Sequence, residues 1–367
     1  MSLVYLSPVA WGSFAQRPHK FVEWFNRRTG RPVIWVEPYP TRLPNWRDLY
    51  RPFAVAPASE TVPVPPWLTV LNPGGFPIEP LPGSGCINRL IWARNIGEPL
   101  LEASRRGASL VIGKPSGLAL ELLSRIRFRS AIYDAMDDFP AFYAGLSRAA
   151  LLRRERQIVQ SVDTILVSSS ALEARWSAVH DDVRLVNNGL DLSRIRALVP
   201  GPAGAERAVF GYVGTMASWF DWRWVCALAQ ARADDEIRLI GPVFDRPARR
   251  LPANVRLLPP CDHSLALRAM TQFHVGLIPF KKNRLTDSVD PIKYYEYRSI
   301  GLPVLSTSFG EMSRRVGEPG VFVAGSPREV ASLAATAIGY VGEPGDSMSF
   351  AVNNAWELRF DAAQLAA

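Results

Sequence analysis

The sequence predicts a two-domain α/β protein made of two successive Rossmann-like halves, and three observations carry that expectation. Short apolar runs alternate with longer helical patterns through most of the chain, the signature of βαβ units and a parallel sheet. A stretch rich in Pro, Gly and Ala, Leu198 to Ala205, interrupts the alternation before a second series begins. The length, 367 residues, suffices for two ordinary domains with cores of their own.

In the first series the runs that read as strands are Leu3 to Leu6, Pro32 to Val36, Leu68 to Leu71, Ser109 to Ile112, Ala131 to Tyr133, Thr164 to Val167 and Val183 to Val186. The Pro-rich segment Val62 to Trp67 reads as a loop entering the third of them. The second series runs through Ala208 to Val213, Ile237 to Ile240, Val255 to Leu258, Val275 to Ile278, Pro303 to Ser306 and Val321 to Val323. The chain ends in NNAWELRFDAAQLAA, an amphipathic helix candidate after the loop Gly342 to Ser347. The expected division is therefore 1–200, 201–347 and a terminal helical segment 348–367. No repeat of fixed period is evident.

Hydrophobic residues make up 48% and charged residues 21% of the chain, close to the globular average and far from disordered or fibrous composition. Cys86, Cys226 and Cys261 stand far apart, so neither a disulfide framework nor a Cys-x-x-Cys metal spacing is expected. The N-terminus lacks a basic region followed by a sufficient apolar run, and no apolar stretch of about 18 residues occurs, so a cytoplasmic protein is expected. The net charge of +8 implies attraction to anions. Groups such as Arg125, Arg127 and Arg129, or Arg148, Arg153, Arg154 and Arg156, read as solvated helix faces or as a surface for anionic lipid.

Ligands of doubly wound sheets sit at the carboxyl ends of strands, so the loops there carry the chemistry. In DSVDPIKYYEYRSIGLPVLS, Pro291 and Ile292 open a helix near Asp290, and Gly301 ends it before a strand. Lys293 and Glu296 lie three apart on that helix. A helix N-terminus with an adjacent lysine suits a diphosphate and a glutamate one turn on suits ribose hydroxyls, while a surface ion pair is the structural alternative. In FGYVGTMASWFDWRWV, Gly214 permits close backbone approach, and Thr215 and Met216 follow it, with Met216 a candidate to stack a base. In AIYDAMDDFPAF, Asp134, Asp137 and Asp138 gather like charge at a strand end; one of them can act as a general base or merely cap a helix. In SPVAWGSFAQRPHKFVEWF, Gly12, Ser13 and Arg17 precede a helix, and Arg17 fits either a phosphate or a structural ion pair. Phe280 follows another strand and reads as a nucleotide-site aromatic or a loop residue.

The run PIKYYEYRSIGLPVLS resembles the nucleotide-sugar segment of family 4 and related bacterial GT-B glycosyltransferases, in which a Lys, a Glu and a Gly-x-Pro-Val recur in this order. The family's first glutamate, separated from the second by seven residues, falls here on Ser288. The Asp loop and the Gly-Thr-Met loop are similar to those of the xanthan glucuronosyltransferase, whose aspartate matching Asp137 is the catalytic base. The Tyr-Asp-x-x-Asp-Asp run and Gln-Arg-Pro also resemble teichuronic-acid-type glycosyltransferases. The resemblance implies a GT-B architecture, two Rossmann-like domains facing a cleft, with a last helix that crosses back to the first domain. It implies a UDP- or GDP-sugar donor on Lys293, Glu296, Asp290 and the Gly214 loop, and a polysaccharide or lipid-linked acceptor hydroxyl served by Asp137. Without an Asp-x-Asp motif no obligatory metal is expected, and without a P-loop no triphosphatase. Nucleic acid is not an expected partner. The alternatives are a catalytically silent binding protein of the same fold or a sugar-nucleotide epimerase.

Overall fold

The computed structural model describes residues 2–43, 63–81, 83–196 and 207–365. The chain divides into two compact units, one of Met1–Val186 with Phe360–Ala367 and one of Asn187–Arg359. All of the interrupting stretch Leu198 to Ala205 and the residue Val62 lie outside the described residues. The division by contacts comes earlier than 200, at the turn Asn187-Asn188-Gly189.

In the first unit, strands β1 (Leu3–Leu6), β2 (Val33–Val36), β3 (Leu68–Leu71), β4 (Ser109–Ile112), β5 (Ala131–Ala135), β6 (Thr164–Val167) and β7 (Val183–Leu185) form one parallel sheet in the order β3-β2-β1-β4-β5-β6-β7. Helices α1 (Arg17–Thr29), α2 (Ser84–Arg105), α3 (Gly117–Arg125), α4 (Gly145–Val159) and α5 (Ser170–Ser177) connect or follow the strands. Strands such as LVYL are buried along their whole length because both faces of a parallel sheet are covered. One face packs Val4, Leu6, Leu110 and Tyr133 under Trp92, Leu118 and Ile158. On α1 Phe21 lies 5.5 Å from Tyr5 and 5.1 Å from Phe360, ring centre to ring centre. Helix starts follow strand ends because Ser116 and Ser169 cap α3 and α5 with their hydroxyls.

The second unit holds α6 (Leu192–Arg196), β8 (Val209–Val213), α7 (Trp222–Ala231), β9 (Glu236–Ile240), β10 (Val255–Leu258), α8 (His263–Met270), β11 (Val275–Ile278), α9 (Ile292–Ser299), β12 (Val304–Thr307), β13 (Val321–Ala324), α10 (Val330–Ile338) and α11 (Asp346–Asn353). Its sheet is parallel throughout, in the order β10-β9-β8-β11-β12-β13. Asp221 and Asp262 cap α7 and α8. The C-terminal segment forms α11 and then α12 (Trp356–Ala362), so the expected single amphipathic helix begins only at Trp356. From Phe360 the chain belongs again to the first unit.

Each sheet reverses its strand order once, between β1 and β4 and between β8 and β11. Those points, at the carboxyl ends of the strands, are where an open α/β sheet forms a crevice. The loops after β1, β8 and β11 that the sequence singles out border them.

Candidate functional site

In the second unit, α9 starts after Pro291, which takes the N-cap position with extended backbone. Glu296 lies one turn into this helix and is only 4% exposed. Its Oε2 meets Lys293 Nζ at 2.5 Å, and its Oε1 accepts from His263 Nε2 at 3.0 Å. Burial alone would raise this carboxyl, but Lys293 and the His263 hydrogen bond outweigh it and bring the group down to about 2. Glu296 is therefore a firmly ionised acceptor, and each oxygen retains a second lone pair. Ser288 is buried, and its hydroxyl has no hydrogen-bond partner among the described residues.

Two expected ligands of this site are structural instead. Asp290, taken from the sequence as a donor-binding residue, is held by Arg315 Nη2 at 2.7 Å, by the Tyr295 hydroxyl at 2.9 Å and by the Asn188 amide N–H at 2.7 Å. A carboxylate with so many fixed donors is an anchor for the start of α9 and for the turn at Asn188. Met216, expected to stack a base, is fully buried in the core, and its backbone bridges to Val243. A core methionine at that depth presents no face to a ligand.

Gly214 does occupy the strand-end turn, with φ at 152°, and its N–H donates to Ile240 O at 2.9 Å. Gly241, at the end of the neighbouring β9, has φ at 138°, and a Cβ there would strike the Gly214 carbonyl. Two backbones meet at these glycines, where side chains would hold them apart. Thr215 accepts from the Tyr212 hydroxyl through its carbonyl at 3.0 Å. Phe280 is partly buried, 5.1 Å from Phe309, and its N–H donates to Thr307 Oγ1 at 3.0 Å.

In the first unit the three aspartates separate by their partners. Asp134, inside β5 and fully buried, receives Arg17 Nε at 2.9 Å and the Tyr5 hydroxyl at 2.9 Å. Asp138 is paired with Arg175 Nη1 at 3.1 Å. Asp137, half-buried between them, has no side-chain hydrogen bond or ion pair among the described residues. Burial, more than anything, raises its carboxyl; Asp134 and Asp138 add to the rise, Arg17 opposes it, and the result is about 7. Glu155, on α4, is likewise raised to about 7, by burial first, against the pull of Arg175 and Tyr133. Arg175 ties these groups together, donating to Glu155 Oε2 at 2.9 Å and to Asp138.

For Arg17 the structure realises the ion-pair alternative. Read as either a phosphate ligand or a structural ion pair, it is 2% exposed, fixed on Asp134, and donates to the Val186 carbonyl from Nη1 at 2.5 Å. Gly12 and Ser13 form the turn before α1, where Ser13 Oγ donates to Ala10 O at 2.6 Å. Among the basic groups, Arg154 is engaged by Glu79 at 3.1 Å and Arg125 by Glu121, whereas Arg127, Arg153 and Arg156 are exposed.

Sequence reasoning missed His263, Arg175, Glu155, Arg315 and Gly241. Gly241 had a signal, a glycine closing a strand as Gly214 does. The others become visible only through partners distant along the chain, such as Glu296, 33 residues from His263.

No protein-family profile matches the chain. It is 26% identical over 215 residues to the Bacillus subtilis (strain 168) protein named for teichuronic acid biosynthesis, the glycosyltransferase TuaH, and the match covers 53% of this chain and 54% of that protein. The chain thus spans about half the length of that curated relative. Among solved structures, a sucrose-phosphate synthase of Thermosynechococcus elongatus aligns with a TM-score of 0.67 at 13% identity, covering 99% of this chain and 98% of that one. A lipopolysaccharide outer core galactosyltransferase aligns at 0.63 and 13%, covering 100% and 99%. Trehalose-6-phosphate from E. coli bound with UDP-2-fluoro glucose aligns at 0.58 and 12%, covering 99% and 95%. Likeness at such identities establishes the two-domain α/β fold that these proteins share.

Proposed function

We propose that this chain, a GT-B fold member related to the teichuronic-acid-type glycosyltransferases, transfers a sugar from a nucleoside diphosphate sugar to a hydroxyl of a polysaccharide or lipid-linked oligosaccharide precursor. The observation that carries the reading is the Lys293–Glu296 pair at the start of a helix beside the switch point of the second sheet. A helix N-terminus and a lysine meet the charge of a diphosphate, and an ionised glutamate accepts from ribose hydroxyls.

The roles follow from the chemistry. Lys293 and the first N–H groups of α9 offset the charge that grows on the leaving diphosphate as its bond to the anomeric carbon breaks. Glu296 holds the ribose. Asp137 removes the proton of the acceptor hydroxyl as its oxygen bonds to the anomeric carbon. It is supported in that role because Asp134 and Asp138 are each neutralised by an arginine and Asp137 is not. Direct displacement of this kind inverts the anomeric centre, and the stereochemistry of the product tests it. Ser288, shorter than the glutamate that related enzymes carry at its position, leaves an unused buried hydroxyl beside the helix, and we assign it to the sugar side of the donor. No metal ion is required in this scheme, because cationic and amide groups of the protein meet the diphosphate.

The acceptor assignment implies work at a membrane surface. Among the described residues no helix is long and apolar enough to cross a bilayer. In the first unit α2 exposes Ile87 and Leu90, and exposed Arg127, Arg153 and Arg156 supply positive charge suited to anionic lipid on the inner face of the cytoplasmic membrane.

A ligand-stabilisation screen of UDP, GDP, ADP and their sugars tests the proposal, since a ligand that binds the folded state raises Tm by mass action. Selective stabilisation by one nucleotide, followed by transfer or slow hydrolysis of its sugar, is expected. Tight binding without turnover would mark a silent binding protein, and interconversion of the sugar without acceptor an epimerase.

A further inference from the structure

We infer that His263, locked by Arg194, is the positioning residue that aims the Glu296 carboxylate at the donor ribose. The inference rests on the ribose-holding role proposed for Glu296. His263 is the first residue of α8, and Asp262 caps that helix by accepting from the Leu265 N–H at 2.8 Å. Its ring spans two partners. Nε2 lies 3.0 Å from Glu296 Oε1, and Nδ1 lies 2.6 Å from Arg194 Nη1 on α6.

The guanidinium decides the tautomer. Arginine has five donors and no acceptor, so Nδ1 must accept from Arg194, and the ring proton sits on Nε2, where it donates to the carboxylate. The opposite tautomer would set an N–H against the guanidinium and a lone pair against Oε1, two repulsive contacts. Arg194 is itself steadied by Asp191, 3.4 Å from its Nε.

Lys293 makes the other contact to Glu296, but its ammonium sits on a flexible stem, and in the proposed reaction it serves the diphosphate. Once Lys293 turns away, His263 is the remaining side-chain donor to Glu296 among the described residues. A rigid ring fixed at both nitrogens can then hold Oε1 while the free lone pairs face the ribose.

The test compares UDP with 2′-deoxy-UDP, and GDP with 2′-deoxy-GDP, on the full chain by calorimetry. Wild type is expected to prefer the ribonucleotide by about tenfold or more, the worth of a hydrogen bond to a charged group. His263→Ala should still bind the diphosphate but reduce that preference to less than about threefold. His263→Gln, whose amide can accept from Arg194 and donate to Glu296, should keep most of it. A merely structural role would lower Tm and affect both nucleotides alike, leaving the ratio intact. If His263→Ala keeps the wild-type ratio while Glu296→Ala abolishes it, the positioning role is overturned and Glu296 stands. If Glu296→Ala keeps the ratio, the ribose role fails and the inference fails with it. Equal loss in the Ala and Gln variants would also overturn the hydrogen-bond argument.

Discussion

The raised carboxyl of Asp137 makes a quantitative prediction about pH. A general base works only when ionised, and an exposed aspartate near its ordinary value of 3.8 would be ionised throughout the neutral range. Held at about 7 by burial and by Asp134 and Asp138, against Arg17, Asp137 would be about one tenth ionised near pH 6 and about nine tenths near pH 8. The acid limb of kcat/KM should therefore rise about tenfold between those values, with the slope of a single proton. Asp138→Asn removes one of the two like charges and should move the limb to lower pH. Glu155 is also raised to about 7, so Glu155→Gln serves as the control that keeps the limb if it belongs to Asp137. The stability effect has the opposite direction. Because the folded state holds this proton more tightly than the unfolded chain, its contribution is present below the ordinary carboxylate range and is lost as pH rises through about 7. A kcat/KM that is flat from pH 6 to 8, or a limb that disappears in Glu155→Gln, would refute the assignment. So would Asp137→Asn with wild-type turnover, since loss of a positioned base lowers rates by about 10² to 10⁴-fold.

Four further outcomes follow from the same geometry. Lys293→Ala should weaken nucleoside diphosphate binding by about 1.5 to 3 kcal/mol, the range for charge-assisted hydrogen bonds, and unchanged affinity by calorimetry would remove it from the site. Arg315→Ala strands Asp290, whose side chain is wholly buried, and breaking such a pair costs about 3 to 5 kcal/mol. At about 2 to 4 °C per kcal/mol for a domain of this size, a melting scan should show Tm lower by about 6 to 20 °C, and a change within error would contradict the anchor role. Turnover should survive exhaustive treatment with EDTA, and loss restored by a divalent ion would reverse the metal-independent reading. Binding to anionic vesicles should appear at low salt and fade as salt is added, with neutral vesicles as control, because the attraction is screened over about 8 Å at physiological ionic strength. No binding even at low salt would leave the positive charge to the substrate.

The sequence by itself determined the fold and nominated the strand-end loops as places for chemistry. Strands, cap residues and turn glycines are local patterns: four apolar residues, a Ser or Asp before a helix and a glycine where φ is positive can be read within a few positions of one another. Both strand series and the opening of α9 after Pro291 were legible for that reason. Tertiary structure decided which polar residue in each loop is free to act. Residue type and spacing do not separate Asp134, Asp137 and Asp138, and the resemblance alone picked Asp137; in the structure Arg17, 117 residues from Asp134, and Arg175, 37 residues from Asp138, neutralise the other two. Asp290 looked like a ligand until Arg315, Tyr295 and Asn188 engaged both its oxygens, and Met216 looked like a base platform until the core enclosed it. Charge compensation and burial are set by neighbours in space, so a linear pattern can nominate a carboxylate but cannot show whether its charge is already answered.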